Sequence, residues 1–135
     1  TFVGMAIDLD HLRGRLNRST GGLSGPAIKP LALARCHDVA CAVGIPVIGS
    51  GGIMSGQDGL EFIAVGAAAV QVGTLSFVRP RGGVEVLEEM TTWLAARGIR
   101  RLGEWRGCLA GRREEGCAPP RTADTHADAR RSRRS

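Results

Sequence analysis

Two apolar runs of strand length, Ile45-Pro-Val-Ile-Gly-Ser-Gly-Gly-Ile53 and Ala69-Val-Gln-Val-Gly-Thr74, each stop on glycine. Between them lie a turn, an amphipathic stretch of helical period and a second turn, so the whole reads as strand, crossover helix, parallel strand. That unit constrains the fold more than any other feature, because both strands then end on the same edge of one sheet. At such an edge Gly49, Gly51, Gly52 and Gly73 carry no side chain to hold a ligand off the backbone, and their N–H groups are free to point outward. Amides gathered in this way bind an anion, most often a phosphate. The expectation is an α/β fold with a phosphate or nucleotide-cofactor site at the carboxyl ends of two parallel strands.

The flanking segments fit around this unit. The chain opens on Thr1 with neither a Met start nor an N-terminal cap, and reads as starting inside a larger whole. Met5, Ile7 and Leu9 alternate with Ala6, Asp8 and Asp10, and the chain returns through Leu16, which predicts a small half-exposed hairpin with His11 solvated in its turn. Thr20-Gly-Gly-Leu-Ser-Gly-Pro-Ala-Ile-Lys-Pro30 is a glycine-rich loop entering a helix with Pro30 at its start. It reads equally as a ligand loop or as an ordinary loop and cap. Lys29, the chain's one lysine, suits an anion contact or simple solvation. In the helix that follows, Ala32, Cys36, Val39 and Val43 form an apolar stripe, Arg35 and Asp38 face outward, and Gly44 is the expected cap. Ser55-Gly-Gln-Asp58 has the pattern of a capping box that opens the crossover helix, with Leu60, Ile63 and Ala64 inward, Glu61 in water and Gly66 at its end. Gln71 interrupts the second strand, as a polar amide inside a closed barrel would. Gly83 to Arg97 reads as a further helix with Val86, Met90, Trp93 and Leu94 inside, and Trp93 and Trp105 as packing residues.

Charge and cysteine content narrow the function classes. The net charge is +5, but residues 110–135 hold seven Arg against four acids, so the preceding part is only +2. That excess lies in an Arg-, Ala- and Gly-rich stretch without periodicity, expected to be disordered, and argues against a nucleic-acid-binding domain. Cys36, Cys41, Cys108 and Cys117 lack paired C-x-x-C spacing and read as reduced thiols of a cytoplasmic protein, with a metal site as the alternative that the spacing disfavours. No signal peptide or membrane-length apolar run is present.

Taken together, the segments 20–30, 45–53 and 70–74 resemble the C-terminal part of dihydroorotate dehydrogenase, nearest to the class 1B catalytic subunit. The likeness covers about residues 1 to 105, motifs and spacers alike. It implies an α/β fold that is the C-terminal part of a β/α TIM barrel, about strands seven and eight with flanking helices and the small hairpin. Residues 1–109 would form that portion and 110–135 a separate tail. The resemblance further implies FMN at the carboxyl ends of the strands, where the barrel architecture places its ligands. Carried over motif by motif, Gly25, Gly51, Gly52, Gly73 and Thr74 would contact FMN. Thr1 would be the second residue of an Asn-Thr pair that binds dihydroorotate.

The implied activity is FMN-dependent oxidation of (S)-dihydroorotate to orotate in pyrimidine biosynthesis. NAD would be the final acceptor, through a partner electron-transfer subunit carrying FAD and an iron-sulfur cluster, and the full-length subunit would be a homo-oligomer. The family's cysteine base matches none of the four cysteines here, so no catalytic residue is assigned. Two alternatives stand beside this one: the pyrimidine-binding FMN barrel of a dihydropyrimidine dehydrogenase, and a non-catalytic truncated remnant. Two parallel strands with their helices also leave apolar faces uncovered, so the isolated chain is expected to be marginal or prone to aggregate.

Overall fold

The computed structural model describes residues 2–109. Thr1 and residues 110–135, with the expectations attached to them, lie outside the described residues. The elements in order are β1 (Phe2–Gly4), β2 (Ile7–Asp8), β3 (Arg13–Gly14), β4 (Gly21–Leu23), a 3-10 turn (Pro26–Ile28), α1 (Lys29–Ala42), β5 (Ile48–Ser50), α2 (Gly56–Ala64), β6 (Ala69–Gln71), α3 (Thr74–Val78), α4 (Gly82–Ala95) and α5 (Leu102–Trp105).

The parallel pair is β5 and β6, in the register Ile48↔Ala69, Gly49↔Val70 and Ser50↔Gln71. It is extended by the Ala68 amide, which donates to the Val47 carbonyl at 2.7 Å. The crossover between them is α2, and its start follows from its sequence. The Ser55 side chain accepts from the Asp58 amide while the Asp58 carboxylate accepts from the Ser55 amide, a complete capping box. The helix gives way after Ala64, where Gly66 takes a φ of 116° that favours glycine.

The core lies where α2 meets its neighbours. Phe62, Ile28, Ile63 and Leu75 are fully buried, with Leu60, Ile53, Ala67, Val86 and Met90 around them. Phe62 sits beneath β5 because Gly49 leaves it room: a Cβ there would come within 2.6 Å of the Phe62 ring. Gly49 therefore serves packing, and not the ligand edge. Helix α2 also crosses α4 closely, since a Cβ on Gly56 would overlap Glu89 and the Met90 amide, and one on Gly59 would come within 2.8 Å of the Met90 sulfur. Trp93 and Trp105 pack edge to face at 5.0 Å, the Trp105 indole N–H donates to the Leu60 carbonyl at 3.0 Å, and the Arg97 guanidinium lies 3.5 Å above the Trp93 ring.

The antiparallel pairs lie at the margin of this core, with Phe2 of β1 packed against it. The hairpin β2–β3 stands in its predicted place, with His11 in the turn bonded to Asp8. The pairing of β1 with β4 was not anticipated, because Gly21 and Gly22 mask the strand character of β4. Two further expectations are corrected. Ala32 and Cys36 are buried on α1, but Val39 is 46% exposed, so the buried stripe is shorter than its apolar residues. The helix is capped by Val43 in extended conformation, and Gly44 does not take a positive φ. An extended cap leads straight into Ile45-Pro46, where proline already favours extended backbone, so no left-handed turn is needed.

Cys36 and Cys108 are free thiols, and burial pushes the Cys36 thiol up. Among the described residues no helix is long and apolar enough to cross a membrane.

Large apolar side chains remain uncovered. Ile48 on β5 is 64% exposed and Phe77 on α3 92%, with Leu9, Leu12 and Ile45 also open. Parallel sheets are stable when both faces are covered, and here one face of β5–β6 is not. The isolated chain is therefore expected to self-associate in sedimentation velocity at micromolar concentration, and Ile48→Lys with Phe77→Lys to reduce association while leaving helical circular dichroism unchanged. A monomeric wild-type chain with a cooperative thermal melt would contradict this.

Candidate functional site

Two loops meet at the carboxyl edge of β5 and β6. The first runs through Ser24 and Gly25 into α1. Gly25 has a φ of 90°, and its carbonyl accepts from the Ile28 amide at 3.2 Å as the 3-10 turn begins. The second follows β5, where Gly51 and Gly52 take φ values of 130° and 75°. Side chains are excluded from both positions by contact as well as by backbone conformation. A Cβ on Gly51 would lie 2.7 Å from that of Ala32, and one on Gly52 would lie 2.8 Å from the Gly25 carbonyl and 2.9 Å from both the amide and Cβ of Lys29. The two loops are thus in direct backbone contact.

The end of β6 completes the edge. Gly73 precedes α3, and Thr74 opens it. The Thr74 hydroxyl donates to that of Ser24 at 3.1 Å, and its methyl group faces Gly25. A Cβ on Gly73 would meet nothing within 4 Å, so the space in front of it is open. Among the described residues, the backbone N–H groups of Gly51, Gly52, Gly73 and Thr74 donate to no protein acceptor. The structure therefore places Gly25, Gly51, Gly52, Gly73 and Thr74 along one edge. Gly51 turns its open side toward α1, so its glycine is required by packing, and only its amide is available to a ligand.

Beneath this edge is a charge network built from residues far apart in sequence. Lys29 Nζ contacts Asp58 Oδ1 at 2.6 Å and Glu61 Oε2 at 2.9 Å. The other Asp58 oxygen accepts from the amides of Met54 and Ser55, both at 2.9 Å, and from the Ser55 hydroxyl at 3.0 Å. Burial alone would push the Asp58 carboxyl up, but Lys29, the Met54 amide and Ser55 outweigh it and hold the group below its ordinary 3.8. The hydrogen bonds that Lys29 donates to Asp58 and then to Glu61 raise its ammonium above 10.5. Lys29 is neither a solvated lysine nor an anion contact, as its position in sequence suggested, because two carboxylates already hold its charge. Glu61 correspondingly turns to Lys29 and not simply to water. Asp58 was legible as a capping residue from the Ser55-x-x-Asp58 pattern, but nothing local signals a partner 29 positions away.

Gln71 is exposed, and the described residues do not enclose it as a barrel interior would. The turn after β5 is held from its outer side as well. Arg79 donates to the Met54 carbonyl at 3.0 Å and pairs with Glu85 at 3.1 Å, and the Gly56 amide donates to Glu89 at 2.6 Å.

This arrangement is an α/β unit whose loops, unpaired amides and hydroxyls gather at the carboxyl edge of a parallel strand pair. The chain belongs to the dihydroorotate dehydrogenase family, whose signature matches residues 1–94. It is 58% identical over 111 residues to the dihydroorotate dehydrogenase B (NAD(+)) catalytic subunit of Trichlorobacter lovleyi, covering 82% of this chain and 36% of that protein. The equivalent subunit of Geobacter sulfurreducens is 54% identical over 109 residues, 81% of this chain and 36% of that protein. Among solved structures, the Eimeria tenella enzyme in complex with ferulenol superposes with a TM-score of 0.64 at 30% identity, over 79% of this chain and 30% of that one. Its ligand-free form gives 0.63 at 30% identity, over 78% and 31%. The chain thus spans about a third of the length of the curated relatives it matches.

The network sets a pH dependence whose sign follows from the two shifts. Asp58, held low, stabilises the fold above its ordinary carboxylate range and loses that contribution as pH falls through its lowered value. Lys29, held high, contributes below 10.5 and loses it only as pH rises through its raised value. In a chimera in which this chain replaces the matching segment of the T. lovleyi subunit, Asp58→Asn is expected to cost about 1–3 kcal/mol between pH 6 and 9. The difference in Tm should narrow toward pH 3. A gap that stays constant through the acid range would show that the charge of Asp58 is not what stabilises the turn.

Proposed function

We propose that this chain supplies the phosphate end of an FMN site in a dihydroorotate dehydrogenase B catalytic subunit, and that the whole subunit oxidises (S)-dihydroorotate to orotate. The observation that carries this reading is the set of four backbone N–H groups, of Gly51, Gly52, Gly73 and Thr74, that find no protein acceptor among the described residues at one edge of a parallel strand pair. In the finer reading the pair is strands seven and eight of a TIM barrel, residues 1–109 are the barrel's share of the chain, and Thr1 belongs to the dihydroorotate pocket. The relatives' shared name favours this over a dihydropyrimidine dehydrogenase. It also supports NAD as final acceptor through a partner electron-transfer subunit, for which FAD and an iron-sulfur cluster are the proposed carriers.

The residues fit a phosphate on physical grounds. A phosphate dianion needs several fixed donors and no uncompensated carboxylate nearby. The amides supply the donors, and the nearest carboxylate network is already neutralised in part by Lys29 and saturated by the Met54 and Ser55 amides. The Thr74 hydroxyl, now donating to Ser24, is free to rotate toward a phosphate oxygen, leaving Ser24 solvated. Gly73, with open space before it, lets the backbone approach the ligand without a side chain between them. When bound, FMN supplies the hydride acceptor, while this chain's residues hold and orient its phosphate tail. Proton removal from the substrate falls to residues elsewhere in the subunit.

The test uses the chimera stripped of flavin. It is expected to bind FMN with quenching of flavin fluorescence and to oxidise dihydroorotate. Thr74→Val should weaken FMN binding about 10-fold, the scale of one lost hydrogen bond to a charged group. FMN uptake without dihydroorotate oxidation would overturn the substrate assignment, and failure to take up FMN would overturn the site.

A further inference from the structure

The Asp58 carboxylate has one oxygen on each of two loops. Oδ2 accepts from the Met54 and Ser55 amides, at the exit of the turn that contains Gly51 and Gly52, while Oδ1 holds Lys29, the first residue of α1 after the Gly25 loop. These are the two loops whose backbones touch at Gly25 and Gly52. We propose that the Lys29–Asp58 pair is a latch that sets the separation of these loops, making Lys29 and Asp58 positioning residues for a phosphate that neither of them touches. The inference rests on the phosphate site proposed above and adds which residues tune it.

The geometry separates this role from direct anion binding. The Lys29 ammonium is engaged by two carboxylates at 2.6 and 2.9 Å, so a phosphate would have to compete with both for it. The backbone of Lys29 lies close under Gly52: the position a Cβ would take there is 2.9 Å from the Lys29 amide. A shift of Lys29 away from Asp58 therefore moves the floor beneath Gly52 and the loop bearing Gly25 together. Amide donors act on a phosphate only when they converge on it, so displacing one loop by a fraction of an ångström lowers affinity without removing a donor. Glu61 holds the ammonium from a second side, and Arg79 and Glu89 fix the far side of the turn through the Met54 carbonyl and the Gly56 amide. Among the described residues, the latch is thus the link in this network that joins the two loops.

Flavins with and without the phosphate provide the readout. The flavin-free chimera is titrated with FMN and with riboflavin, in wild type, Lys29→Met, Lys29→Arg and Asp58→Asn. Lys29→Met keeps the length of the apolar stem, and Asp58→Asn keeps an oxygen for the Met54 and Ser55 amides, so one of them serves if the other does not fold. The latch predicts that FMN binding weakens about 10-fold in Lys29→Met and in Asp58→Asn, that riboflavin binding is unchanged, and that Lys29→Arg recovers part of the loss. The double variant should be no weaker than the worse single one, because both break one link. In flavin-saturated protein the KM for dihydroorotate should not move. Equal weakening of FMN and riboflavin, or a lowered Tm with unchanged FMN affinity, would reduce the pair to a structural role and overturn the latch alone. A wild-type chimera that binds FMN no better than riboflavin would overturn the phosphate site itself and the latch with it.

Discussion

Two parallel strands can be joined only by a connection that leaves the sheet, crosses one face and returns, and in this chain that connection is α2. Everything near the site follows from how closely α2 is allowed to lie. Gly49 removes the side chain that would hold Phe62 away from β5, and Gly56 and Gly59 do the same for α4. The helix is drawn in against both layers, and its capped N-terminus then falls directly below the turn that follows β5. The glycines of the strand and helix fix the spacing, while those of the turn at Gly51 and Gly52 shape the edge presented to solvent. Glycine thus serves two purposes within a dozen residues.

Much of this was legible in sequence. Apolar runs ending on glycine mark β5 and β6, and the Ser55-x-x-Asp58 pattern marks the start of α2, because strand patterning and capping are local properties. The hairpin and the burial of Met90 and Val86 follow from periodicity in the same way. What escaped were relations between distant residues. β4 is too rich in glycine to read as a strand without its partner β1, and α3 is a five-residue helix with too little length to show a period. Lys29 carries no local sign of Asp58 or Glu61. Its position suited an anion contact or simple solvation, and only the fold shows that the charge is already held. Gly49 and Gly73, alike in sequence as strand-ending glycines, separate once contacts are known: one is filled from behind by Phe62, the other faces open space.

The electrostatics of the edge are indirect as a result. A lysine near a phosphate site ordinarily acts through its charge. Here the ammonium is directed downward into carboxylates, and the groups facing the open edge are backbone amides and two hydroxyls, of Ser24 and Thr74. Amides are fixed by the chain and lose no side-chain entropy on binding, so the affinity of such an edge depends on the stiffness of its loops more than on net charge. A site of this kind discriminates by geometry, and residues that hold the loops matter as much as residues that line them.

The most direct measurement is the amide nuclear magnetic resonance of the chimera, selectively labelled with nitrogen-15 at glycine and threonine. The account predicts that the resonances of Gly51, Gly52, Gly73 and Thr74 move downfield when FMN is added and that riboflavin leaves them nearly in place, since only FMN brings the phosphate acceptor. Bound FMN with those amides unmoved would place the phosphate elsewhere and contradict the account at its centre.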